Sequence, residues 1–166
     1  MFTSLLLTSL IATSANALYF HFSPFVTTDI RIPSESHAIS FTISNPTANF
    51  EQGGSAPRNC SISWSGSEVP TCWKECEGDG WPHFARVTPK SWSSAGDFEL
   101  DVQRYHVYRA PSVFNVTGVP IVEGALNGYA CSRGGQSTVC TFQNTEQGFN
   151  VMVGNGGEPV EPTPQC

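Results

Sequence analysis

Charge is what this sequence has least of. Only 13% of its 166 residues are Asp, Glu, Lys or Arg, about half the usual fraction of roughly 25%. Lys74 and Lys90 are the sole lysines, and fourteen acids against eight basic residues leave a formal net charge of −6. No basic run occurs, which excludes nucleic acid as a partner, because phosphate neutralisation needs clustered Lys and Arg. Attraction to an anionic membrane surface is excluded on the same ground. Nothing after Ala17 resembles the roughly 20 apolar residues of a membrane span, and Pro159 to Cys166 is too polar for a lipid-anchor signal. A sustained 3.6-residue hydrophobic period is missing as well, so no long helix is expected. Hydrolase and nucleotide chemistry lack their motifs: there is no Gly-x-Ser-x-Gly elbow and no phosphate-cradling glycine loop. Apolar residues are not scarce, at 39% with 11% aromatic, so the chain is a folded domain, not a disordered one.

What is present begins with an uncharged leader. Phe2 to Ala17 carries an apolar stretch from Leu5 to Ala12 and ends in Ala15-Asn16-Ala17, the small-x-small pattern that signal peptidase reads. The expected organisation is a signal peptide over 1–17, a β domain over 18–153, and a Pro- and Gly-rich tail over 154–166 ending in Cys166. The six cysteines, Cys60, Cys72, Cys76, Cys131, Cys140 and Cys166, all follow the leader. In an oxidising compartment they read as a disulfide framework. Spacing alone does not fix the connectivity. Cys131 and Cys140 flank a segment centred on Gly134-Gly135, suited to a hairpin turn, and a bond between its two strands is the economical pairing. Cys72-x-x-x-Cys76 lacks the second ligand pair that a structural zinc site needs.

The hydrophobic pattern is that of short strands. Ile39, Phe41 and Ile43 alternate with Ser40, Thr42 and Ser44; Cys60, Ile62 and Trp64 alternate with serines; Phe98, Leu100 and Val102 alternate with Glu99, Asp101 and Gln103; and Phe149, Val151 and Val153 alternate with Asn150 and Met152. Each run has the two-residue period of a half-buried strand. Tyr19 to Ile32 and Phe84 to Val87 are weaker candidates, the first demoted in part by Pro24. Short strands separated by frequent turn signals predict an all-β antiparallel barrel or sandwich.

The aromatic first strand, the Ile39–Ile43 strand, Cys60 in a serine-rich strand, Trp73 with Cys76, the Asp97–Leu100 strand and the Cys131/Cys140 hairpin follow one another in an order that resembles the fungal secreted β-barrel family typified by the major Alternaria allergen. The resemblance covers roughly Tyr19 to Val153. It implies a compact antiparallel barrel, the pairs Cys60–Cys76 and Cys131–Cys140, and no catalytic constellation. Family members are associated with interference in plant defence, elicitor activity, allergenicity and small flavonoid-type ligands. Two features depart from the pattern. No cysteine precedes Cys60, so a covalent dimer through an N-terminal cysteine is not supported. Cys72 and Cys166 are additional, and would pair with each other or with other chains.

Several clusters carry potential chemistry. Glu75, Glu77, Asp79 and Gly80 match the start of a calcium loop, but Arg86 stands where the bidentate Glu belongs. His21, His37, His83 and His106 have no metal-ligand spacing. A ribonuclease-like acid–base site would need His83, Arg86, Glu99, Arg104 and His106 to converge across neighbouring strands. Sequons occur at Asn59 and Asn115, with Asn115 in expected loop territory and therefore the better acceptor. Trp64 alternates inward with Ile62 and belongs to the core. Trp73, Trp81 and Trp92 lie in Pro- and Gly-rich segments, where exposed aromatics mark recognition surfaces.

The function expected from the sequence is that of a non-enzymatic secreted fungal protein. It would act in the host apoplast by binding a host extracellular protein or a small aromatic ligand, modulating defence as a monomer or weak homodimer. No cofactor or metal is expected. The alternatives are a secreted ribonuclease-like enzyme and a cell-wall structural protein.

Overall fold

The computed structural model describes residues 18–49, 54–106, 112–142, 148–155 and 162–166. The leader over 1–17 lies outside them. The chain forms β1 (Tyr19–Ile30), β2 (Ser36–Ser44), β3 (Arg58–Ser65), β4 (Lys74–Glu75), β5 (His83–Val87), β6 (Asp97–His106), β7 (Ser112–Val122), β8 (Tyr129–Arg133), β9 (Ser137–Phe142), β10 (Phe149–Met152) and β11 (Gly154–Asn155), with no helix among the described residues. Two antiparallel sheets result, one ordered β3-β2-β1-β9-β8 with β10 also on β1, the other β11-β7-β6-β5-β4. They do not close into a barrel. The fold is an open sandwich whose shared core takes Phe22, Phe25, Ile39 and Phe41 from the first sheet and Leu100, Val102, Phe114 and Ile121 from the second.

Pro24 does not demote its strand; it divides one edge of it. β1 pairs along its length with β2, while its other edge is shared by β10 against Tyr19–Phe22 and β9 against Val26–Ile30. Proline has no N–H to offer a ladder, and the gap between the two partners is where none is required. A bulge between Phe22 and Phe25 also shifts the side-chain parity. Phe20 and Phe22 point inward before it; Phe25, Thr27 and Asp29 are the buried residues after it. A single extra residue exchanges the two faces of a strand, which hides this one from a search for strict alternation.

β7 is a second departure from the sequence reading. Asn115 is not in a loop: it lies in β7, opposite Gln103 on one side and Gly154 on the other. Here the register shifts between Leu100 and Val102, opposite Val119 and Val116. Gly118 occupies the resulting bulge at φ 63° and donates its N–H to Asp101 Oδ1 at 2.9 Å. The other sequon residue, Asn59, lies in β3 and accepts a hydrogen bond from Thr42 Oγ1 at 2.8 Å.

Three disulfides close the molecule: Cys60–Cys76, Cys72–Cys166 and Cys131–Cys140, with no free cysteine among the described residues. Disulfides of this number belong to a chain that matures in an oxidising, extracellular type of compartment. No helix among the described residues is long and apolar enough to cross a membrane. The tail expected over 154–166 is in contact with the fold at both ends. Gly154–Asn155 pairs with β7, Trp73 N–H donates to Pro164 O at 2.8 Å, and Cys166 N–H donates to Trp73 O at 2.9 Å.

Cys131 and Cys140 are directly opposite in the β8–β9 ladder, and Gly96 packs against their bond. A Cβ on Gly96 would stand 2.7 Å from Cys131 Sγ and 3.4 Å from Glu123 Cβ. Gly96→Ala is expected to cost about 2 kcal/mol in chemical denaturation, the usual penalty for overpacking a filled site. Gly135→Ala, where a Cβ meets nothing within 4 Å, is the matched control and should leave the midpoint unchanged.

Candidate binding cleft

The inward residues of β1, β2 and β3 reach one open end of the sandwich as Asp29, His37 and Trp64. The connection from β5 to β6 crosses that end and supplies Trp92. Hydrogen bonds from Ser91 Oγ to Thr88 O at 2.8 Å and from Glu99 N–H to Ser91 Oγ at 3.0 Å fix this connection against β6. The aromatic rings interlock: His37 stacks on Trp64 at 4.9 Å, Trp92 meets Trp64 edge-on at 4.7 Å, and Trp92 leans on Phe98 at 5.0 Å. Between them opens a cleft of about 330 Å³ whose polar wall is Asp29, Arg31, Glu35, Ser67 and Ser93.

Its electrostatics are unusual for a sandwich edge. His37 is only 6% exposed, and each of its ring nitrogens faces a carboxylate, Nδ1 at 3.3 Å from Asp29 Oδ1 and Nε2 at 3.4 Å from Glu35 Oε1. The Nδ1 contact is out of line for a hydrogen bond, and the buried Trp64 Nε1 has no hydrogen-bond partner. Buried polar groups without partners are costly in a folded protein. Arg31, whose side chain is 71% exposed, lies 3.9 Å from Asp29 Oδ2 at the mouth. The cleft therefore offers the half-buried indoles of Trp64 and Trp92 to a flat ring and the Glu35 carboxylate to hydroxyl or N–H donors. Aromatic faces beside convergent polar groups are elements from which small-ligand sites are built.

Of the tryptophans expected at a recognition surface, only Trp92 lines this cleft. Trp73 is not an exposed aromatic: it is buried at 7% exposure, with the Arg86 guanidinium 4.4 Å above its ring. Arg86 is held there by donating from Nε to Asp101 Oδ2 at 2.9 Å. Trp73 thus covers the outer side of the second sheet, where the Cys72–Cys166 bond fastens the neighbouring chain. Trp81 is half-buried at the opposite end of the sandwich, its carbonyl accepting from His83 Nδ1 at 3.1 Å. Trp64 points inward as expected, but at the open end, so it is half-buried and forms part of the cleft.

The ribonuclease-like set is divided by strand parity. His83 and Arg104 are cross-strand partners facing the sandwich interior, at 2% and 1% exposure. Arg86 and Glu99 project from the other side of the same sheet, where Glu99 is exposed. The side chain of His106 lies outside the described residues. Burial, with Arg104 and Arg58 nearby, pushes the His83 imidazole down to about 3, far from the range of a working general base. The acids that match the start of a calcium loop do not converge either: Glu75 meets Arg58 at 3.4 Å and Glu77 pairs through its backbone with Asn59.

Sequence reasoning overlooked Asp29, Glu35 and His37 as a group. A signal for His37 did exist, since it is in phase with Ile39, Phe41 and Ile43 and so had to face the core. Asp29 had none, because the bulge at Pro24 reversed its parity. No protein-family model matches this chain, and no curated protein matches it in sequence.

Proposed function

We propose that this protein is a secreted, non-catalytic binding module of the fungal family typified by the major Alternaria allergen. In this reading it acts in the host apoplast, taking up a small aromatic ligand and modulating defence. The observation that carries the ligand assignment is the cleft in which Trp64, Trp92 and His37 interlock beneath the carboxylates of Asp29 and Glu35. The short Cys60–Cys76 and Cys131–Cys140 loops support the family reading; the open sandwich departs from the closed barrel that the resemblance implies. A rigid disulfide-braced scaffold suits binding, since little conformational freedom is left to lose on association.

The test is a titration of planar phenolic compounds followed by tryptophan fluorescence. Trp92→Ala removes one wall of the cleft and is expected to weaken uptake about tenfold, in line with the loss of an aromatic contact and its buried area. Trp81→Ala, at the other end of the molecule, should bind as the parent does. Equal binding by all three proteins would remove the cleft from the account.

A further inference from the structure

The first sheet ends on β3, and only part of that edge is covered. Asn59 exchanges both backbone hydrogen bonds with Glu77, donating at 2.7 Å and accepting at 2.8 Å. Asn59 therefore directs its N–H and C=O away from β2. By the alternation of an antiparallel ladder, so do Ser61, Ser63 and Ser65. Among the described residues no strand continues the pairing beyond Asn59. Natural edges of this kind are usually blunted by lysine, proline or a bulge. This one, Ser61 to Ser65, carries none of them.

The free edge forms one wall of a groove of about 260 Å³, with Ser61, Ile62 and Ser63 on one side. The facing wall is the Cys72–Cys166 disulfide with Pro70, and Lys74 contributes the charged side chain. A groove walled on both sides accepts a single extended strand more readily than the broad edge of another sheet. We propose that it is a strand-addition site for an extended segment of a partner protein, with an acidic side chain of that segment meeting Lys74. Main-chain hydrogen bonds to Ser61 and Ser63 would supply affinity, and the groove and the lysine would supply selectivity. This site is separate from the aromatic cleft and does not depend on it.

The experiment uses the full mature chain and a blocked hexapeptide of alternating threonine and valine with one central aspartate. Amide hydrogen exchange is followed by NMR. At saturating peptide the amides of Ser61 and Ser63 are expected to exchange about fivefold or more slowly. A peptide N-methylated on its ladder-forming nitrogens should give no protection, and Lys74→Glu should favour a counterpart peptide carrying lysine in place of the aspartate. Absence of protection at any attainable peptide concentration, or equal protection by the N-methylated peptide, overturns the proposal. Protection present without peptide and lost on dilution also overturns it, and assigns the edge to a second copy of the chain.

Discussion

Gly148→Ala is expected to destabilise the protein by about 4 kcal/mol, among the largest single-residue effects available to this fold. A Cβ at this position would overlap the carbonyl oxygen of Phe22 and stand 2.6 Å from Ser23 Cβ and 2.8 Å from the Phe22 carbonyl carbon. The carbonyl is backbone and the Ser23 Cβ is fixed to the backbone, so no side chain can rotate aside. Relief requires β10 to leave β1, giving up the Phe22–Phe149 register pair. With it goes the parallel stack of their rings at 4.7 Å and the contacts of Phe149 with Phe25 and Phe142. Denaturant unfolding of the mature chain measures the loss, and near-ultraviolet circular dichroism reports the disrupted aromatic cluster. A midpoint within about 1 kcal/mol of the parent would show that this glycine is replaceable and the approach of the strands adjustable.

The second large effect is acid sensitivity through His83. Its imidazole is buried against Phe20, with Arg104 and Arg58 adding positive charge, and these influences hold its pKa down to about 3. In the unfolded chain the same group titrates near 6.5. Below that pH the unfolded state binds a proton that the folded state refuses, so stability falls as pH drops from about 6.5 toward 3. Between about pH 6.5 and 4.5 the loss amounts to about 2 kcal/mol, since the slope reaches roughly 1.4 kcal/mol per pH unit only well below 6.5. His83→Leu forfeits the hydrogen bond to Trp81 O, costing about 1 kcal/mol near neutrality, yet it should remove most of the slope. Unfolding free energies at the two pH values check this directly. Parallel losses in the parent and the variant would transfer the acid sensitivity to other groups.

The same histidine illustrates how the reading of single residues divides from that of their arrangement. His83, Arg86, Glu99 and Arg104 do belong to neighbouring strands, as a converging set requires. What decides against convergence is register: Arg104 lies opposite His83, while Arg86 lies opposite Asp101. Odd and even positions of one strand face different sides of its sheet. One residue of parity therefore separates the interior pair from the exterior one.

Four of the strands and one of the three disulfides, Cys131–Cys140, were legible in local sequence. Ile39–Ile43, Cys60–Trp64, Phe98–Val102 and Phe149–Val151 alternate because one side of each strand must be apolar, and period-two alternation needs no tertiary information to recognise. The Cys131–Cys140 hairpin was equally local, a glycine-centred turn between two cysteines. Tertiary structure decided what lay beyond such short windows. The bulge beside Pro24 placed Asp29 inward, and the bulge at Gly118 let β7 continue where turn-forming residues suggested a loop. The closing disulfide and the outer sheet surface made Trp73 a buried cover, while the β5–β6 connection brought Trp92 to Trp64 and His37. Alternation tells which residues must be hidden; only the packing of one sheet on another determines which end of the sandwich stays open and which side chains meet there.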